Sequence, residues 1–164
     1  MSKSIGPNLP PEVFAMLSGD DLASGLGRTF TLVASGDDGW PSFALLSVGE
    51  VLAPDPSTVR LALWPGSGTT AGLTRAGRAT MMLVGDDSVW YLHLAARRGS
   101  DISAEGLNRA YFECSVDDVL VDKVTYAKIT SGISFELPDR DGVLARWSRT
   151  IDLVRAAAPV PGAG

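Results

Sequence analysis

The stretch LWPGSGTTAGLTRAG, residues 63–77, concentrates residue types that bind phosphate groups in proteins. It follows an apolar run and mixes glycines with the hydroxyl side chains of Ser67, Thr69 and Thr70. Glycine lets a backbone approach a ligand closely, and the free amides at a helix N-terminus attract anions. The stretch therefore predicts a phosphate site at the start of a short helix. The alternative, that these hydroxyl residues only cap that helix, stays open.

This stretch shares features with one common nucleotide-binding motif and lacks those of a second. GSGTTAG, residues 66–72, is a GxGxxxG string with Asp86 and Asp87 further on, as in a dinucleotide fingerprint. However, the helix after it is short, and the flanking strands are joined by hairpin turns, which favours an antiparallel sheet. A Walker motif requires Gly-Lys-Ser/Thr, which the stretch lacks. Three nearby arginines, Arg60, Arg75 and Arg78, could neutralise a phosphate, and the sequence does not choose between them.

The elements around the stretch predict a mainly β protein with a few helices, formed by one domain over residues 1–164. Runs rich in β-formers predict strands at 29–35, 41–53, 58–64, 78–84, 88–96, 110–116 and 129–137. We expect Gly49 to mark a bulge in the long strand 41–53. Three helices are predicted. The first covers about 8–24, and the second extends from the loop that carries Ser67, Thr69 and Thr70, which we call the hydroxyl loop, to about Gly77. The third covers about 141–157, where apolar residues recur at helical spacing.

Composition excludes several classes of function. The net charge of −5 and the pI near 4.7 argue against a general nucleic-acid-binding protein. No apolar run approaches the roughly 20 residues that cross a bilayer, and residues 1–12 lack a signal-peptide pattern, so we expect a cytoplasmic protein that does not enter membranes. Cys114 is the single cysteine, and we expect neither a disulfide within the chain nor a metal site.

Residues 37–83 resemble the flavin-binding split-barrel family related to pyridoxamine 5′-phosphate oxidase. The family pattern G-x-P-x-x-A-x-x-S corresponds to residues 39–47, GWPSFALLS. A second strand then ends in Trp64 and a Ser/Thr loop, followed by Gly72-Leu73 where the family has Asn-Leu. YAKITSGISFEL, residues 126–137, is similar to one branch of the family. The resemblance extends from about residue 6 to 154.

This resemblance implies an antiparallel split β-barrel of six or more strands that works as a homodimer, with FMN in a groove at the subunit interface. It places the FMN phosphate on Ser67, Thr69 and Thr70. It places the edge of the isoalloxazine ring along the strand residues Ala44, Leu45, Leu46 and Ser47, with Trp64 beside the cofactor. A flat ring fits an apolar strand that carries a few aimed donors.

The resulting interpretation is an FMN-dependent oxidoreductase with an unidentified small-molecule redox substrate and NADH or NADPH as a candidate electron donor. The alternative is a non-catalytic split-barrel protein that binds flavin, haem or another ligand. No catalytic residue can be assigned, because no paired carboxylates or Ser-His-Asp arrangement stands out. For His93, the single histidine, we expect a structural or interface role.

Overall fold

The computed structural model describes residues 1–162 and, within them, nine strands and three α-helices. The strands are β1 (Lys3–Gly6), β2 (Phe30–Ser35), β3 (Pro41–Leu46), β4 (Val51–Asp55), β5 (Thr58–Leu63), β6 (Arg78–Val84), β7 (Val89–Arg98), β8 (Ile102–Ala104) and β9 (Leu107–Asp122). The helices are α1 (Pro11–Leu17), α2 (Gly68–Ala76) and α3 (Arg140–Ala156), with a 3₁₀ turn at Ala23–Gly25. No helix in this described part is long and apolar enough to cross a membrane. The cytoplasmic location stays a prediction.

All paired strands run antiparallel, in the order β3-β2-β6-β7-β9-β5-β4. The 16-residue β9 pairs with β7 on one side and β5 on the other, and it also carries β1 and β8. The path ends at β3 and at β4 without closing, which is the arrangement of a split barrel. The predicted mainly β fold, an antiparallel split β-barrel, is therefore confirmed, and a doubly wound parallel sheet is excluded.

The main core follows the alternation of the strands along one face of the sheet, and a second cluster lies on the opposite face of β4, β5 and β9, against α3: Leu52, Ala62, Tyr111, Ile151 and Val154. In β7, Trp90, Leu92 and Leu94 are buried while His93 between them is exposed, which confirms the alternation expected from period two. Helix α1 adds Val13 to the same core. Each buried side chain of this size contributes about 1.5–3 kcal/mol.

The prediction of one long strand over 41–53 is wrong. Strand β3 ends at Leu46, and a turn closed by a hydrogen bond from the Glu50 amide to the Ser47 carbonyl (3.1 Å) separates it from β4. Gly49 lies in this turn and not in a strand bulge. A Cβ there would lie 2.1 Å from Cγ of Trp147 on α3. The glycine permits this close approach of α3, and the chain then continues into β4 at the other end of the sheet.

Two further strand predictions differ from the structure. Residues 129–137 form no strand, and only Ser134 makes an isolated bridge, to Arg28. Most of their side chains are exposed, so the β-forming residue types that suggested a strand lack a continuous buried face. The strand expected at 110–116 is the central part of the longer β9, which extends to Asp122 because β7 pairs with it along that length.

Candidate functional site

An exposed apolar surface lies at the β3 edge of the sheet and in the turns next to it. We call it the apolar edge and define it as Trp40, Phe43, Leu45 and Trp64, whose exposed fractions are 74%, 65%, 56% and 62%. Phe43 and Leu45 share one face of β3 because side chains alternate along a strand. Of the other predicted strand residues, Ala44 packs against the core, and Leu46 and Ser47 are buried. As an edge strand, β3 also presents backbone groups that have no partner strand.

Helix α2 begins at the predicted hydroxyl loop, and the Ser67 hydroxyl caps it. The Ser67 hydroxyl accepts a hydrogen bond from the Thr70 amide (3.1 Å) and donates to the Thr70 hydroxyl (2.9 Å). The Thr70 hydroxyl in turn donates to the Trp64 carbonyl (2.7 Å). These contacts are those of the helix-capping alternative. The role of Ser67 and Thr70 in binding phosphate stays a prediction.

Thr69 joins the start of α2 to strand β3. Its hydroxyl shares a 2.8 Å hydrogen bond with the hydroxyl of Ser42, and Thr69 is only 3% exposed. Gly72, which stands where the family has Asn, has a clear structural reason: a Cβ there would lie 2.0 Å from the Ser35 carbonyl of β2. The helix thus packs directly onto the strand pair and brings its N-terminus next to the apolar edge.

The three arginines considered from sequence have separate surroundings. Arg75 pairs with Asp37 and donates to the carbonyls of Ser35 and Gly36, so it ties α2 to the β2–β3 turn. Arg60 is buried and pairs with Glu113. Neither reaches the hydroxyl loop through the contacts that the structure shows.

Arg78 lines a different cavity, of about 690 Å³, together with Trp40, His93 and Asp117. His93 therefore lines the same cavity as a cation, an aromatic ring and a carboxylate. The structural or interface role expected for His93 stays a prediction.

Arg109 is a site residue that the sequence analysis missed. It is 8% exposed, and its guanidinium carbon lies 4.0 Å from the centre of the Trp64 ring. Its Nη1 donates to the Asn108 carbonyl (2.8 Å), whereas its Nε has no partner among the described residues. Burial lowers the pKa of Arg109, the charge of Arg146 lowers it further, and Glu50 opposes both.

These residues surround a cavity of about 240 Å³ between the end of β3, Trp64 and α3, which we call the arginine cavity. Its lining includes Leu45, Glu50, Trp64, Arg109, Arg146 and Trp147. No local motif predicts it, because Trp64 and Arg109 meet only through the pairing of β5 with β9, in which Leu63 faces Ala110. In the sequence, Arg109 is visible only as an arginine directly before the predicted strand 110–116.

Comparisons with known proteins agree with the fold. No protein-family model matches the chain. The chain is 30% identical over 140 residues to the uncharacterized protein YclD of Bacillus subtilis, covering 85% of this chain and 91% of that protein.

Two solved structures are similar at low sequence identity and speak to the fold alone. One, from Lactobacillus delbrueckii, is named as a candidate pyridoxamine 5′-phosphate oxidase; it has a TM-score of 0.55 and 15% identity, covering 71% of this chain and 98% of that one. The other is HupZ of Group A Streptococcus, with a TM-score of 0.51 and 12% identity, covering 68% of this chain and 94% of that one.

Proposed function

The chain belongs to the same family as the Bacillus subtilis protein YclD, and we propose that it is an FMN-binding oxidoreductase. The observation that carries this proposal is the Ser42–Thr69 hydrogen bond of 2.8 Å, which joins a helix N-terminus to an apolar edge strand. One ligand with a phosphate at one end and a flat apolar ring at the other matches that pair of surfaces. The split-barrel fold and the resemblance of residues 37–83 to a flavin-binding family support the same ligand.

The phosphate end of FMN fits the first turn of α2. The first amides of a helix have no partner within it, and only the Thr70 amide is bonded to the Ser67 side chain. The amides of Gly68 and Thr69 and the Thr69 hydroxyl are the donors we assign to the phosphate. The positive end of the helix dipole adds to their attraction for an anion.

The ring end fits the apolar edge. Phe43 and Leu45 offer exposed apolar surface, and the backbone of β3 offers donors and acceptors for the polar rim of the ring. A bound FMN would supply the redox chemistry, while the protein orients it and controls access to it. We propose NADH or NADPH as the electron donor. The non-catalytic alternative is a split-barrel protein that binds flavin, haem or another ligand without turnover.

We further propose that a second copy of the chain covers the apolar edge. Four large apolar side chains are more than half exposed there, and clustered exposure of this kind marks an interaction surface. Sedimentation of the flavin-loaded protein is expected to give a dimer at micromolar concentration. A monomer under those conditions would contradict this assembly, and Phe43→Ser with Leu45→Ser is expected to weaken the dimer.

The phosphate assignment is tested by comparing FMN with riboflavin, which lacks the phosphate. Thr69→Val removes the hydroxyl and keeps the side-chain shape. We expect it to weaken FMN binding by about tenfold, the value of one hydrogen bond to a charged group, and to leave riboflavin binding nearly unchanged. Quenching of flavin fluorescence measures both affinities.

The control for this experiment is Thr74→Val, in the last turns of α2, where the hydroxyl donates to the Thr70 carbonyl (2.8 Å). It removes the same atoms from the same helix and should change neither affinity by more than about twofold. Equal losses for FMN and riboflavin in Thr69→Val would show that the loop is only a helix cap. Bleaching of the flavin absorbance by NADH or NADPH without oxygen supports the enzyme, and FMN binding without bleaching supports the non-catalytic alternative.

A further inference from the structure

The arginine cavity carries a net positive charge. Arg109 and Arg146 line it with one carboxylate, Glu50. One oxygen of that carboxylate is already occupied, because Oε2 accepts hydrogen bonds from the amide (2.8 Å) and the hydroxyl (2.9 Å) of Ser47. Because the lining has two guanidinium groups and one carboxylate, one positive charge has no counter-charge in the lining.

Arg109 is incompletely bonded for a buried cation. Arg109 is only 8% exposed, yet its Nε has no hydrogen-bond partner in the described chain. Buried polar groups without partners are uncommon in proteins and costly. A carboxylate is the group that arginine binds through two parallel N–H donors, and Nε is one donor of such a pair.

Most of the other lining side chains are apolar, and Ser47 and Thr150 are the polar ones among them. Phe135, Leu137, Val143 and Trp147 form an apolar part of the wall, and Phe135 meets Trp147 edge to face at 6.3 Å. The volume of about 240 Å³ is below the usual range for drug-sized ligands. The space suits a small molecule with one charged end and one apolar end.

We propose that the arginine cavity binds a small monocarboxylate, with its carboxylate between Arg109 and Arg146 and its apolar body against the wall formed by α3 and Phe135. One negative charge balances the single excess positive charge of the lining. Leu45 belongs both to this cavity and to the apolar edge, so the ligand lies beside the surface proposed for the flavin ring. The cavity site itself does not depend on flavin binding.

Benzoate is the probe, because it combines a carboxylate with a compact apolar ring, and benzamide is its neutral counterpart of the same shape. Trp64 and Trp147 line the cavity, so tryptophan fluorescence reports binding, and calorimetry gives the stoichiometry. We expect saturable binding of one benzoate per chain to the protein as purified. Benzamide should bind at least tenfold more weakly.

Arg146→Gln is the test variant, since Arg146 is exposed on α3 and its replacement should not disturb folding. We expect it to weaken benzoate by about tenfold. Arg149→Gln is the matched control: it makes the same change of charge on the same helix, also at an exposed position, outside the cavity lining. It should change benzoate affinity by less than about twofold.

Several results would overturn the proposal. They are the absence of benzoate binding, equal binding of benzamide, or equal losses in Arg146→Gln and Arg149→Gln. Loss of benzoate binding at saturating FMN would assign the cavity to the cofactor instead. A failure of FMN to bind, with benzoate binding intact, would contradict the proposed function and leave this site standing.

Discussion

Arg60 and Arg109 are two buried arginines of β5 and β9 with nearly equal exposed fractions, 9% and 8%, and opposite surroundings. Arg60 donates from Nε and Nη2 to Glu113 (3.1 and 2.9 Å) and from Nη1 to the Val154 carbonyl of α3 (3.1 Å). Arg109 faces an aromatic ring, and its Nε has no partner in the part of the chain that the structure describes.

The difference separates a structural ion pair from a binding group. Glu113 is bonded on both oxygens, because Tyr111 donates to Oε2 (3.3 Å) and the Val160 amide to Oε1 (3.1 Å). We call Arg60, Tyr111 and Glu113 the Arg60 cluster. The hydrogen bonds of its charged groups to one another and to backbone groups fasten α3 and the following segment to the sheet. The carboxylate proposed for the arginine cavity would supply the partner that Arg109 Nε lacks within the described chain.

The largest expected effect compares the same substitution at both sites. Arg60→Met leaves Glu113 buried without its main counter-charge, and we expect a loss of about 3–5 kcal/mol in the free energy of unfolding. Arg109→Met removes a guanidinium that is incompletely paired, and we expect the free energy of unfolding to change by no more than about 1 kcal/mol. The variant loses the stacking on Trp64, but it is also relieved of the desolvation cost of a buried charge. Urea unfolding at neutral pH measures both.

Equal losses in the free energy of unfolding for Arg60→Met and Arg109→Met would show that the two arginines do not differ in this way. A large loss in Arg109→Met alone would make Arg109 a structural residue. The benzoate measurement in Arg109→Met is the complementary control, since that variant should fold and yet fail to bind the probe.

A smaller effect is expected from pH, through Tyr111 beside Glu113. Burial, with the charge and hydrogen bond of Glu113, raises the pKa of Tyr111 to about 12 from its usual 10, and Arg60 opposes this rise. Between these values the unfolded chain releases the phenolic proton while the folded protein keeps it. Stability should therefore fall as pH rises from about 10 to 12, by at most about 1.4 kcal/mol per pH unit for one proton.

Tyr111→Phe should show a shallower fall over the same window, and denaturant unfolding at several pH values measures the difference. Burial also raises the pKa of Cys114, but its contribution is present in both proteins and cancels in the comparison. Identical slopes for the two proteins would contradict the assignment to Tyr111.

Local patterns predicted most of the strands and the helices α2 and α3. The β2–β3 turn contains Asp38-Gly39, a pair common in hairpin turns, and Gly39 has a φ of +84°. Helix α2 was predicted to extend to about Gly77; it ends at Ala76, and Gly77 follows in the left-handed conformation (φ +64°). These features depend on residues that are close together in the chain, which is why a single sequence carries them.

Features that depend on distant residues could not be predicted in this way. The break at Ser47–Glu50 exists because Trp147 of α3 packs on Gly49, almost a hundred residues away in the chain. For the same reason the arginine cavity was missed, since it combines the end of β3, the start of β9 and α3. The hydroxyl loop was found because Ser67, Thr69 and Thr70 are neighbours, although their hydroxyls are mainly engaged within the protein.

The packing of Trp147 on Gly49 has a consequence for how this family can diversify. The segment 123–139, which joins β9 to α3, contains no strand or helix, so α3 is positioned by its own packing on the sheet through Trp147, Ile151 and Val154. Substitutions on the inner face of α3 can reshape one wall of the arginine cavity while β3 and α2 stay unchanged. Relatives that keep glycine at this turn are expected to share the helix position and to differ in ligand choice, whereas a larger residue there would relocate the helix and abolish the cavity.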